Sequence, residues 1–298
     1  MSARRAQTGA DGANLELELD AGPISYLDSG GDGAPLVLLH GLLMDAGLWD
    51  EVTAELTPDF RCIRPTLPQG AHRKPMREGA DLSLRGQVRI LVEFLDRLDL
   101  HDVTLVFNDW CGAQILIAEQ WDERVGRIVF ASCETYDNYP PGLPGKVAAL
   151  AAEVPGGLAG LKLLRFRVLR QLPLTFGRMS KRPVPDPLFD RWLEPMRTWK
   201  EIRRDLRMYA GDTRSGREEL LAANSKLGQF RKPVLVAWAA EDRVMPLAAG
   251  RRLADLFPNS RFIEIPDSRT LIPIDQPHVL AEAIARFVSS TVPTEAGR

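Results

Sequence analysis

The stretch VTLVFNDWCGAQILIAEQW, Val103 to Trp121, runs apolar and β-branched, breaks at the polar pair Asn108 and Asp109, and resumes at once with helical spacing. A strand that passes into a helix without a linker forces a tight turn. The residue at its apex projects its side chain away from the sheet, close to the amides that open the helix. Asp109 holds that apex. A carboxylate so placed is a natural nucleophile, and the amides of Trp110 beside it and of Leu42, after VLLHG, would form the two donors of an oxyanion hole. Aspartate is also a good helix N-cap, which accounts for the residue type without any chemistry.

Such a turn needs a frame. PLVLLHG (35–41), RCIRPTL (61–67), VTLVFND (103–109), RIVFASC (127–133), PVLVAWA (233–239) and RFIEIPD (261–267) are short, mostly apolar runs of the buried parallel-strand type. LELEL and GPISYLDSG, which precede them, alternate and lie within hairpin distance. Amphipathic stretches such as AGLWDEVTAEL, LRGQVRILVEFLDRLDL and LAAGRRLADLF lie between most of the runs. The expected fold is α/β: a mainly parallel sheet covered by helices on both faces, with ligands meeting the C-terminal ends of the strands. One interval, 134–231, shows no convincing strand but several proline-punctuated helical patterns, and is expected to form a helical cap. The core is then 14–133 and 232–290, with frayed tails at 1–13 and 291–298.

Composition bounds the function. The 298 residues are 45% hydrophobic with a formal charge of −2, so no overall field draws nucleic acid or an anionic membrane surface. Between Leu161 and Arg207, 13 Lys or Arg stand against 5 Asp or Glu, which reads as a solvated helical face. The three cysteines, Cys62, Cys111 and Cys133, lie in apolar runs without disulfide or metal-ligand spacing. No apolar run reaches the roughly 18 residues of a membrane span, and the start has two arginines without an apolar run after them. A cytoplasmic protein is expected, acting on a small molecule without metal or cofactor, since no phosphate-cradling loop or nucleotide fingerprint occurs.

The arrangement resembles the α/β-hydrolase fold over nearly the whole chain. LVLLHGLLMDAGLW is similar to the oxyanion loop and its helix, VTLVFNDW to the nucleophile strand and elbow, PVLVAWAAEDRVMP to the turn bearing the triad acid, here Asp242, and FIEIPDSRTLIPIDQPHVLAEAI to the last strand, histidine loop and final helix. An aspartate followed by Trp resembles the haloalkane dehalogenases and epoxide hydrolases. The resemblance implies that Asp109 attacks an sp3 carbon to form an ester that histidine-activated water cleaves. It also implies that Trp110 donates its indole N–H to a departing halide.

Counting 28 residues on from Asp242, the position of the family histidine is Thr270, which has no base near neutral pH. Of the four histidines, His40 belongs to the HG loop, His101 precedes its strand at the far edge of the sheet, and His278 lies on the last helix. His72, in PTLPQGAHRKPM directly after a parallel strand, is the candidate replacement base. Leu42 and Leu43 stand after HG where dehalogenases commonly have Asn, leaving Trp192 and Trp199 as further halide donors. Tyr136, Tyr139 and Tyr209 are the cap residues able to protonate an epoxide oxygen. Glu134 is a second candidate for the acid, and Cys111 reads as an inert core thiol. The expected activity is aspartate-centred attack on a small apolar haloalkane or epoxide. The alternatives are a lyase or isomerase with Asp109 as general base, and a non-catalytic binding protein on the same scaffold.

Overall fold

The two-residue period of LELEL is that of a strand, and β1 (Ala13–Leu19) pairs antiparallel with β2 (Gly22–Asp28) across a two-residue turn. The apolar runs that come after it become β3 (Ala34–Leu39), β4 (Phe60–Pro65), β5 (Val103–Asp109), β6 (Val125–Cys133), β7 (Val234–Ala239) and β8 (Ser260–Ile265). They form one eight-stranded sheet in the order β1-β2-β4-β3-β5-β6-β7-β8. β2 meets β4 antiparallel, and every later pairing is parallel. The computed structural model describes residues 13–136, 138–211 and 213–291. The tails expected at 1–13 and 291–298 lie outside these residues except at Ala13 and Thr291, which begin β1 and end the last helix.

Helices cover the sheet as the amphipathic stretches require: α1 (Asp50–Leu56), α2 (Leu84–Arg97) and α3 (Gly112–Ala118) before β6. Between β6 and β7 come α4 (Gly142–Glu153), α5 (Arg167–Arg170), α6 (Asp186–Thr198), α7 (Lys200–Ala210) and α8 (Thr213–Asn224), with a 3-10 segment at Gly157–Arg165. α9 (Leu247–Asp255), α10 (Ile272–Asp275) and α11 (Pro277–Thr291) complete the chain. Among the described residues no helix is long and apolar enough to cross a membrane. β5 is buried along its whole length, flanked by β3 and β6 in parallel register with Val106 opposite Leu38 and Val129. Each fully buried Val or Leu contributes about 1.5–3 kcal/mol, so the strand that carries Asp109 is held firmly in register.

Two clamps hold the inserted helices on the core. Asp45, after β3, accepts from the Gly47 amide at 2.9 Å, from Arg191 Nε and Nη2 at 2.9 Å each, and from the Trp192 indole at 3.0 Å. Asp205, on α7, accepts from the Met76 amide at 2.8 Å and from His72 Nε2 at 3.2 Å. Because Trp192 is fully buried, removing its acceptor strands an indole N–H away from water. Asp45→Ala is expected to destabilise the protein by about 3 kcal/mol, seen as a lower urea midpoint at unchanged slope. An unchanged midpoint would show that the clamp carries no stability.

Candidate active site

Asp109 ends β5 with φ at 68°, a left-handed conformation that costs an L-residue on the order of 1–2 kcal/mol and is least unfavourable for Asp and Asn. The loop after β3 is built around its carboxylate. A Cβ on Gly41 would sit 2.1 Å from Asp109 Oδ2, so only glycine lets the backbone pass there. The amide of Leu42 donates to the carboxylate, while Oδ1 has no partner. His40 fixes the loop: its Nδ1 donates to the Gly41 carbonyl at 2.8 Å and its Nε2 accepts from the Leu67 amide at 2.9 Å. An amide only donates and a carbonyl only accepts, so these contacts define the tautomer. Burial lowers the His40 pKa to about 4, and the ring stays neutral.

The carboxylate faces a cleft between the sheet and the inserted helices, with about 90 Å³ open to the centre of a water molecule. Trp110, Glu134, Tyr139, Phe176, Met179 and Tyr209 are among its walls. The Trp110 indole N–H is buried without a partner. Its ring stands against Phe107 and over Gly112, where a Cβ would come within 2.5 Å of it. Among the described residues, none that lines the cleft is Lys, Arg or His.

Two further acids lie close. In the turn after β7, Asp242 Oδ1 accepts from the Val244 amide at 2.9 Å, the Met245 amide at 2.7 Å and the Thr270 hydroxyl at 2.8 Å. Glu134 follows β6, lines the cleft, and keeps Oε2 without a partner. Buried carboxyls near one another resist ionisation. Burial, then repulsion from Asp242, raises the Asp109 pKa to about 7. Burial raises Asp242 to about 6 against the two amides that favour its charge, and burial with Asp109 beside it pushes Glu134 well above the usual range. Tyr209 is raised in the same way, by burial first and by Tyr139 next, so its hydroxyl keeps its proton. Among the described residues no three His, Cys, Asp or Glu side chains converge as metal ligands.

Asp109, Leu42 and Trp110 therefore meet in one cleft, with Asp242 just behind it. His72 does not join them. Gly70, at φ 107°, turns the chain after β4 toward α7, and the His72 ring is buried with Nδ1 accepting from the Gly70 amide at 3.3 Å and Nε2 donating to Asp205 at 3.2 Å. It lines a separate polar cavity beside Asp45 and Arg191. Trp192 donates to Asp45 and Trp199 lies outside the cleft walls, so neither indole faces Asp109. Tyr136 donates to the Arg252 carbonyl at 2.8 Å, leaving Tyr139 and Tyr209 as the cleft phenols. Cys111 is fully buried at the N-terminus of α3, its thiol held neutral by burial and by Glu134. The apolar walls Phe176 and Met179 were not singled out by sequence, where they are two more apolar residues in a helical region.

Residues 34–277 match the family model described as alpha/beta hydrolase fold. A haloalkane dehalogenase of Mesorhizobium japonicum is 36% identical over 109 residues, which are 36% of this chain and 34% of that protein. Haloalkane dehalogenase 2 of Mycobacterium bovis is 24% identical over 280 residues, covering 88% of this chain and 90% of the relative. The crystal structure of a putative ancestral haloalkane dehalogenase superposes with a TM-score of 0.74 at 21% identity, covering 93% of this chain and 99% of that one. That last likeness concerns the fold.

The raised pKa of Asp109 makes stability depend on pH. A carboxyl whose folded pKa lies above its unfolded one favours the folded state at low pH, and that stability is lost as pH rises through the folded value. For Asp109 the window runs from 3.8 to about 7, and the loss is on the order of 4 kcal/mol. Asp109→Asn removes the ionisation, so its thermal midpoint is expected to exceed that of the natural protein at pH 8 and to approach it at pH 5. A variant less stable than the parent at pH 8 would contradict the buried-charge account.

Proposed function

The chain belongs to the alpha/beta hydrolase fold family, and on that premise we propose an enzyme in which Asp109 attacks a small, apolar alkyl electrophile. The observation that carries this reading is the unequal treatment of the two carboxylate oxygens. The Leu42 amide holds the carboxylate while Oδ1 is left without a partner beside an apolar cleft. Oδ1 forms a bond to an sp3 carbon, the carbon–heteroatom bond breaks with its electron pair going to the leaving group, and an alkyl ester of Asp109 results. The Leu42 amide then rests on the ester carbonyl, where an oxyanion would develop on hydrolysis.

Leaving-group contacts favour an oxygen over a halide. Trp110 supplies one indole N–H, but Leu42 occupies the place of a second donor and the Trp192 indole is used by Asp45. Tyr139 and Tyr209 both line the cleft, and a phenol that keeps its proton can pass it to the alkoxide of an opening epoxide. Water attack is the weak step. Thr270 hydrogen-bonds Asp242 where a histidine would take its orientation, and the absence of a general base removes a factor of about 10²–10⁴. Hydrolysis of the ester is therefore slow relative to its formation.

A second reading, Asp109 as a general base in an isomerase or lyase, draws on its pKa of about 7, which suits proton transfer at neutral pH. It is the weaker one, because the Leu42 amide that would hold an enolate already holds the carboxylate.

Incubation with a panel of small epoxides and haloalkanes, then intact-mass measurement, is expected to show one adduct per chain, mapping to Asp109 and absent in Asp109→Asn. Adduct formation should rise with pH through about 7 as the nucleophile ionises. Thr270→His is expected to convert the trapped ester to turnover by roughly 10²–10⁴-fold. A panel without any Asp109-dependent adduct, together with no hydrolysis gained by Thr270→His, overturns the nucleophile reading.

A further inference from the structure

The 3-10 segment Gly157–Arg165 packs against both α4 and α5. Among the described residues, eight of the twelve large hydrophobic side chains exposed on the protein lie between Leu143 and Leu174. Val168 is 78% exposed, Leu150 60% and Leu163 53%. Scattered single apolar residues need no explanation, but such a concentration on adjoining elements does. The same interval carries Lys146, Lys162, Arg165, Arg167 and Arg170 against the single acid Glu153. Arg167 and Arg170 pair with Asp186. Lys146, Lys162 and Arg165 have no ion pair among the described residues, and the Arg165 guanidinium lies 4.6 Å over the Phe166 ring.

We propose that this face docks peripherally on an anionic lipid bilayer. Its composition decides among occupants. Exposed aliphatic side chains interleaved with unpaired cations match the boundary between acyl chains and anionic headgroups, whereas nucleic acid offers no apolar phase to Leu150, Leu163 or Val168. An isologous contact with a second copy would set the same cations against one another. The formal charge of −2 predicts no attraction for the chain as a whole, but the attraction here is local and acts within a Debye length. Leu174, 47% exposed, also lines the Asp109 cleft, so the docked face borders the entrance through which an apolar molecule would leave the bilayer. Docking of this face does not depend on the chemistry of Asp109.

The test is co-sedimentation of the full chain with phosphatidylcholine vesicles, with and without phosphatidylglycerol. Binding to the mixed vesicles is expected to exceed binding to phosphatidylcholine alone by about tenfold and to fall with added salt. The double variants Leu163→Asp/Val168→Asp and Lys162→Glu/Arg165→Glu are each expected to lose about tenfold in binding while keeping the thermal midpoint of the parent, since all four side chains are exposed. Equal binding to both vesicle types overturns the proposal, as does parental binding by either double variant. So does a dimer in sedimentation equilibrium that Leu163→Asp/Val168→Asp makes monomeric, which would assign the face to a second copy.

Discussion

Burying a carboxylate without a cation is the constraint around which this molecule is organised. Asp109 ends the innermost strand in a left-handed conformation, and none of the described residues lining its cleft can carry a positive charge. The Leu42 amide is the compensation the fold provides, and it requires Gly41 to have no side chain and the His40 ring to hold the loop. Asp242 works in the other direction, adding repulsion to desolvation. The proton affinity of the elbow is therefore set jointly by three loops at the C-terminal edge of the sheet, after β3, β5 and β7, and by the helices that keep water out.

At the same edge, the turn after β7 and the loop after β8 meet through a hydrogen bond from the Thr270 hydroxyl to Asp242. Asp242 is gathered by the Val244 and Met245 amides and by Thr270, a geometry suited to orienting a base, yet the hydroxyl it orients cannot accept a proton at neutral pH. Asn108 adds a further bond from its Nδ2 to the Thr270 carbonyl at 2.7 Å, so the loop around Thr270 stays rigid. Thr270 thus gives Asp242 a hydrogen bond but no base.

Much of the fold was legible because its cause is local. The apolar strand runs and their helical intervals carry their periods in the sequence, and the eight strands fall within a few residues of those patterns. Asp109 was legible through its place at a strand end, since a parallel sheet brings all such ends to one edge, whereas Asp242 and Thr270 were singled out through the resemblance to the α/β-hydrolase pattern. His72 occupies the same kind of position yet points elsewhere, because one glycine at φ 107° redirects the chain toward Asp205. A turn of that kind leaves no periodic signal. Tyr209 and Phe176 reach the cleft from distant helices, and their placement depends on packing across the cap that no spacing along the chain encodes. The basic excess between Leu161 and Arg207 was visible as charge, but which cations lack partners emerges only once Asp186, Asp190 and Asp205 have taken theirs.

The elbow carboxyl holds its proton up to neutral pH because it is buried among acids, and the most direct measurement of that state is a carbon-13 NMR titration of protein labelled at aspartate Cγ. The Asp109 resonance is identified by its absence in Asp109→Asn. The account predicts a midpoint near 7. A midpoint near 4, the ordinary value for an exposed aspartate, would mean that water or a cation reaches the carboxylate, and would contradict the account.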